Sequence, residues 1–239
     1  MKAQAKFIKE VNSLLIKKFG VPFSNRNFPD PLDLLIATIL SQNTNDNNSY
    51  KAFNNLKSHY KSWNELINEK RVKIEKIIRV AGLAEQKSSA IKSIVVYLNK
   101  KNGEVSLDYI KKFSDEEVIN ELTRHKGIGV KTASCVLLFA LGRNVCPVDT
   151  HVHRTVNRLG IVKENTPGKS FSTLNRNFPE GAAHSFHTNL IRLGREICTP
   201  SKPNCTECPL NKICTYKKKN FEYKGRGKQR DFMLLDNVT

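Results

Sequence analysis

Lys126-Gly127-Ile128-Gly129-Val130-Lys131-Thr132-Ala133 is the stretch that decides the fold. Two glycines one residue apart let the chain turn sharply and bring backbone N–H groups up to a ligand. A helix with its own start signal precedes it: Ser114 with Glu117 three residues on is a capping box before Val118, Ile119 and Leu122. An apolar helix running through Cys135 to Leu141 follows and opens at about Val130, so its positive N-terminal end points the same way as the glycine N–H groups. Helix, Gly-x-Gly turn and helix read together as a helix–hairpin–helix, an anion site that grips a backbone phosphate without reading bases. A plain helix-to-helix turn needs similar glycines; the flanking helices are what favour the hairpin.

Working outward, nearly every segment carries helical period. Phe7, Ile8, Val11, Leu14, Leu15 and Phe19 form one apolar stripe, with lysines on the other face. Asp30-Pro31 starts a more buried helix over Leu32 to Leu40, with Asp30 as N-cap. Tyr50, Phe53 and Leu56 mark the next helix. Leu66 and Ile67, then Ile74, Ile77 and Ile78, mark two more, with Gly82 as a C-terminal stop. Ile91, Ile94, Val95 and Leu98 give another, ended near Gly103. No alternating period-two stretch competes, so the class is all-α, without an internal repeat.

Charge narrows the partner. Lys and Arg total 40 against 22 acids, a formal net charge of +18. An excess that large points to a polyanion, most often nucleic acid, against the plainer reading of a solvated basic surface. No run of about 18 apolar residues and no lipidation motif supports a membrane partner. No apolar signal segment stands at the start, so an intracellular location is expected. Four cysteines, Cys198, Cys205, Cys208 and Cys214, fall in one short loop with gaps of six, two and five. Without an oxidising compartment such a cluster reads as metal ligation rather than a disulfide staple. Four thiolates with no nearby His fit either zinc or an iron–sulfur cluster. Cys135 and Cys146 lie apart in apolar surroundings and read as core thiols. After Cys214, the lysines at 217–219 and then Lys224, Arg226, Lys228 and Arg230 among glycines read as a flexible basic arm.

Lys131 stands in the first turn of the hairpin's second helix, where the dipole disfavours a cation by a few tenths to about 1 kcal/mol. The same field favours the neutral, nucleophilic amine. Alone, such a lysine is more often a phosphate contact or a solvated charge. A second residue changes the balance. After Gly142, the segment Asn144 to Val148 leads to Asp149-Thr150-His151, which opens another helix through Val152, Val156 and Leu159. The helix from Lys131 to Leu141 climbs about 15 Å, and the seven steps from Gly142 to Asp149 reach up to about 23 Å when extended. Asp149 can therefore return to the end that holds Lys131. An N-capping Asp is by itself usually structural; beside a DNA-binding hairpin, the catalytic reading competes.

The hairpin with its lysine, Val148-Asp149-Thr150-His151 eighteen residues on, and the cysteine cadence together resemble the endonuclease III family of helix–hairpin–helix DNA glycosylases. The resemblance covers roughly residues 5–215. It implies a six-helix domain with the hairpin over residues 24–143 and an iron–sulfur cluster domain from residues 1–23 and 144–215, with DNA held between them. Residues 216–239, the basic flexible tail, run past the family's usual end. The resemblance also implies a [4Fe–4S] cluster on Cys198, Cys205, Cys208 and Cys214 rather than zinc, Lys131 as Schiff-base nucleophile and Asp149 as catalytic carboxylate. The implied activity is that of a bifunctional DNA glycosylase/AP lyase of base excision repair. Such an enzyme, expected as a monomer, acts on double-stranded DNA with a damaged base or abasic site. It removes oxidised pyrimidines and cuts the strand 3′ to the abasic site by β-elimination.

The implied DNA contacts are Lys126, Gly127, Gly129, Val130 and Thr132 of the hairpin, Lys202 in the cysteine loop, and an amide that fills the gap left by the flipped base. In Leu40-Ser41-Gln42-Asn43-Thr44-Asn45-Asp46 the family's Gln position falls on Asn43, with Gln42 just before it, and either amide fits. The chain departs from the pattern at His125-Lys126, where the family has Leu-Pro and hence an apolar anchor for the hairpin. Two rival readings stand: a mismatch-specific uracil/thymine DNA glycosylase, and a non-catalytic DNA-binding module. Lys131 and Asp149 occurring together weigh against the second.

Overall fold

The computed structural model describes residues 2–23, 28–222 and 234–238. Among them are ten α-helices, short 3-10 turns and no strand, as the helical period throughout the sequence requires. In chain order the helices are α1 (Lys2–Phe19), α2 (Pro31–Leu40), α3 (Asp46–His59), α4 (Arg71–Ile77), α5 (Ala84–Asn102), α6 (Asp115–Thr123), α7 (Val130–Phe139), α8 (Thr150–Leu159), α9 (Pro167–Asn175) and α10 (Ala183–Glu196). The chain separates into two compact units: Asn25–Arg143 with Phe232–Thr239, and Met1–Ser24 with Asn144–Asp231. No helix among the described residues is long and apolar enough to cross a membrane.

The hairpin unit is built around α2. Asp30 Oδ1 accepts the N–H groups of Leu32 and Asp33 at 2.8 and 3.1 Å, and Pro31 occupies the first turn, so the helix starts where the sequence said. Every residue of α2 is buried. A helix apolar on all sides belongs inside a core, and α3, α5 and α7 pack around this one. Each Leu or Ile fully withdrawn there contributes roughly 1.5–3 kcal/mol. Asp33, the one acid in the run, accepts from Lys57 Nζ at 2.9 Å and Trp63 Nε1 at 2.5 Å. The Ser114–Glu117 capping box opens α6, and α5 stops at Gly103.

Two expectations change. Leu66 and Ile67 lie in a 3-10 turn, Trp63–Ile67, under a Ser62–Glu65 capping box, rather than in an α-helix. The extended residues Tyr60 and Lys70 on either side leave too few residues to propagate an α-helix. The tail is also less free than its charge implied. The Asn220 N–H reaches Cys205 Sγ at 3.3 Å and its carbonyl accepts the Cys205 N–H at 3.0 Å, tying this part of the tail to the cysteine loop. A 3-10 turn, Leu234–Asn237, packs on α2 and α3 with Leu234 and Val238 buried. Those two apolar side chains give the chain end a reason to dock that the lysine count hid. Lys224, Arg226, Lys228 and Arg230 lie outside the described residues.

In the other unit, the α1 stripe of Ile8, Val11 and Leu15 is fully buried, and α10 packs on both α1 and α8. Asn12 Nδ2 donates to Ser185 Oγ at 2.9 Å across the α1–α10 contact. Gly194 lets α10 approach α8 closely, since a Cβ there would lie 2.8 Å from that of His151. Neither α9 nor α10 had been read from the sequence. Cys135 and Cys146 are buried in the core.

The hairpin unit also holds a charged knot at the end of α6. Glu121, 5% exposed, accepts from Tyr97 Oη at 2.9 Å, Tyr109 Oη at 2.8 Å and Lys101 Nζ. Burial raises this carboxyl, and the bonds from Lys101, Tyr109 and Tyr97 overcome that and hold it at about 2. A carboxyl depressed in the folded state stabilises fully above its unfolded value and loses that contribution as pH falls through its folded value. The wild type should therefore lose stability between about pH 5 and pH 2 more steeply than Glu121→Gln, and the variant should start about 3–5 kcal/mol lower at neutral pH. Urea unfolding across that pH range checks both; parallel curves would contradict the assignment.

Candidate functional site

The hairpin is built as its residues dictate. Gly127, at φ +90, makes the turn, and a Cβ added there would stand 3.1 Å from that of Ala90 on α5. Ile128 is the buried foot of the turn, while Lys126, Gly127 and Gly129 are exposed. Gly129 is the N-cap of α7 and offers no side-chain cap, so the first N–H groups of the helix meet no capping side chain. Such an end accepts an anion. Val130 and Lys131 follow, both half-buried, and Thr132 is buried. Among the described residues the Lys131 ammonium meets no hydrogen-bond or ion-pair partner.

His125 supplies the anchor that Leu-Pro would have given. Its ring meets Tyr97 edge-on at 4.5 Å between centroids, and its Nε2 is buried without a partner. Burial pushes its imidazole below the ordinary range, against the pull of Glu121. Neutral His125 therefore acts as a packing group beside the Glu121 knot.

The two candidate amides part company. Gln42 Nε2 donates to the Gly127 carbonyl at 3.0 Å and to Thr132 Oγ1 at 3.3 Å, so it braces the hairpin. Asn43 is exposed at φ +51, in the left-handed region. One other non-glycine among the described residues shares that conformation: Leu83, at φ +47 and 47% exposed. Left-handed backbone at a non-glycine residue costs about 1–3 kcal/mol and persists only where the surroundings impose it. Leu83 was missed in the sequence, where Gly82 read only as a helix stop.

In the other unit, Asp149 is half-buried as the N-cap of α8, with Oδ1 accepting the Val152 N–H at 2.8 Å. Its approach segment is held by side chains rather than by a sheet. Asn175 exchanges two bonds with the Cys146 backbone, at 2.7 and 3.0 Å, and His187 Nδ1 meets the Pro147 carbonyl at 2.9 Å. One face of α8 then reaches the cysteine loop. Arg154 donates through Nη2 to the Gly194 carbonyl at 2.8 Å and through Nε to the Cys198 carbonyl at 3.0 Å. Its Nη2 also lies 3.2 Å from His151 Nδ1. Arg158 donates to Cys198 Sγ at 3.2 Å and to the carbonyls of Thr199 and Pro200 at 2.8 and 2.7 Å. Burial holds His151 below the usual imidazole range, against the nearby Asp149 charge. None of these supports was legible beforehand.

Cys198, Cys205, Cys208 and Cys214 line one recess together with Arg158, Asn211, Tyr216 and Lys219. Burial, reinforced by the neighbouring cysteines, pushes the Cys208 thiol up to about 12 and moves Cys214 in the same direction. Four sulfurs in one recess, with no histidine or carboxylate among its lining residues, form a soft donor set of the kind that metal groups take. Among the described residues, no group of three or more His, Cys, Asp or Glu is gathered closely enough for a single metal ion. Lys202 is exposed in the same loop, and its carbonyl accepts from Thr199 Oγ1 at 2.7 Å.

Known proteins share this architecture. The family model described as HhH-GPD superfamily base excision DNA repair protein matches residues 36–180. A protein of Arabidopsis thaliana, provisionally named as a DNA glycosylase, is 40% identical over 185 residues, 77% of this chain and 62% of its own length. The chain thus spans less than two thirds of that plant protein. Endonuclease III of Thermotoga maritima is 33% identical over 225 residues, 94% of this chain and 98% of the relative. A solved non-covalent endonuclease III–DNA complex aligns with a TM-score of 0.71 at 27% identity, covering 88% of this chain and 94% of that one. The protein belongs to the endonuclease III family of helix–hairpin–helix DNA glycosylases, enzymes of base excision DNA repair.

Proposed function

We propose that the chain is a bifunctional DNA glycosylase/AP lyase for oxidised pyrimidines, with Lys131 as nucleophile and Asp149 as catalytic carboxylate. The observation that carries this reading is Lys131 itself: a lysine one residue into an uncapped helix start, whose Nζ meets no hydrogen-bond or ion-pair partner among the described residues, beside a glycine turn suited to phosphate. The hairpin, with Lys126 and the N–H groups around Gly127, Gly129, Val130 and Thr132, holds the DNA backbone, and Lys202 adds a second phosphate contact. Asn43 is the better plug for the vacated base position, because Gln42 is engaged with the hairpin. Leu83 offers an apolar wedge of the kind that unstacks base steps.

The chemistry follows from these groups. A lesion that stacks or pairs poorly costs least to flip out of the duplex. The Lys131 Nζ lone pair attacks C1′ as the C1′–N bond breaks, and the electron pair leaves with the base, which takes up a proton. Asp149 stabilises positive charge developing on the sugar and accepts a proton from the attacking amine. The sugar ring opens as the C1′–O4′ bond breaks, O4′ takes up the proton held by Asp149, and C1′ is left as an imine on Lys131. Loss of a C2′ proton then expels the 3′ phosphate, which is β-elimination on the 3′ side.

For the cysteine recess we propose a [4Fe–4S] cluster on Cys198, Cys205, Cys208 and Cys214. Four thiols around one recess, without a histidine, support it, as does family membership. Bound there, the cluster would supply a four-point cross-link for the Lys202 loop. The residues of this chain do the rest: Arg158 steadies the Cys198 sulfur and the carbonyls after it.

Borohydride trapping on a duplex with one oxidised thymine tests the nucleophile. Wild type should form a covalent adduct that Lys131→Gln loses by about three orders of magnitude or more. Base release without any adduct would make the enzyme monofunctional; activity only on G·U or G·T duplexes would favour the mismatch glycosylase. Purified anaerobically, the wild type should be brown, with iron and sulfide in equal amounts, and Cys208→Ser should lose most of both. A colourless protein carrying zinc would overturn the cluster assignment.

A further inference from the structure

Lys87 is the largest charged side chain in the interior, 2% exposed on α5. Among the described residues it meets no carboxylate. Its Nζ instead donates to two backbone carbonyls, Leu40 and Ala81, each at 2.8 Å. Their positions in the chain are what matter. Leu40 is the last residue of α2, and Ser41-Gln42-Asn43 follow it directly. Ala81 ends a 3-10 turn, Arg79–Ala81, and Gly82-Leu83 follow it. One buried ammonium thus sits at the root of both loops whose tips are the strained, exposed residues Asn43 and Leu83. The phosphate hairpin rests on the same helix one turn further on, where Gly127 closes on Ala90. Gln42 completes the tie between the first loop and the hairpin.

We propose that Lys87 is a positioning residue for lesion recognition: its buried ammonium clamps the Leu40 and Ala81 carbonyls and so presents Asn43 and Leu83 as one two-pronged wedge. The inference rests on reading the hairpin unit as the DNA-binding surface. Each tip holds a left-handed backbone that persists only under support from elsewhere. Tied at one nitrogen, the two tips move together, and distorting a duplex asks for two side chains to arrive in register. The chemistry at the sugar needs no such wedge once the nucleotide is unpaired.

Burial pushes the Lys87 amine down to about 8, and the neutral amine still has two N–H groups for its two carbonyls. The clamp therefore does not depend on the charge, and a neutral donor should serve in part.

The experiment compares wild type, Lys87→Met and Lys87→Gln as metal-loaded full chains on two substrates: a duplex with one oxidised thymine, and a single strand with an abasic site, which has no partner to unstack. Lys87→Met should release the base about tenfold or more slowly from the duplex yet trap on the single strand within about twofold of wild type, with Lys87→Gln between. 2-Aminopurine opposite the lesion should show a smaller fluorescence rise in Lys87→Met. Equal loss on both substrates, or no loss on either, overturns the proposal. Should Lys87→Met fail to fold, Asn43→Ala, Leu83→Ala and the double variant decide with Lys87 intact. Their effects on duplex base release should depart from additivity by about threefold or more, and additive effects overturn the proposal. A wild type that traps no imine on either substrate refutes the proposed function instead, and this inference falls with it.

Discussion

A helix buried on every side cannot leave its end groups to water, and the hairpin unit is arranged around that constraint. The core of the unit is α2, with all its residues withdrawn from solvent. Its start is satisfied by the carboxylate of Asp30, and its finish by Lys87 at the Leu40 carbonyl. An unpartnered buried carbonyl costs about 1–3 kcal/mol. The ammonium that removes that cost is itself expensive to bury, and burial pushes the Lys87 amine down to about 8. The solution fixes where the chain leaves α2, and with it the start of the loop that carries Gln42 and Asn43. A requirement of the core thus sets where a surface loop begins.

The other unit solves a related problem with different groups. Asp149 is delivered by an extended segment with no strand beside it, and extended backbone without a sheet leaves its N–H and C=O groups wanting partners. Asn175 replaces a neighbouring strand at Cys146, and His187 serves Pro147. From α8 onward, Arg154 and Arg158 serve the carbonyls before and after Cys198. In both units, then, single side chains from helices complete backbone that regular structure leaves unpaired. Each such tie places a residue that the sequence marks as functional: Gln42 beside the hairpin, Asn175 before Asp149, Arg158 at Cys198.

Features set by neighbours in the chain were legible in the sequence. The Asp30 and Ser114 starts, the Gly103 stop, the hairpin glycines and the Asp149 cap are decided within about four residues, and periodicity alone gave the class. Features set by distant partners were not. The Gln42–Gly127 tie spans 85 residues and the Lys87–Leu40 tie 47. Nothing in the local sequence marks Leu83 as left-handed, because leucine takes that conformation only under constraint from elsewhere. The tail misled for a related reason: abundant lysine masked two apolar residues near its end, and they sufficed to dock it.

The connectivity of the second unit has a consequence for how the chain is made. α1 leaves the ribosome well before the helix it packs on: its apolar stripe meets α10, and Asn12 finds Ser185 across 173 residues. In the interval the residues of the hairpin unit, up to Arg143, emerge and can gather around α2. α1 must wait through that period as a lysine-faced amphipathic helix with Ile8, Val11 and Leu15 unburied. Nascent chains of this protein therefore carry an unpaired hydrophobic stripe until α10 has emerged. α10 closes it, and the four cysteines follow α10 directly in the chain, so burial of the α1 stripe and delivery of the cysteine loop come close together.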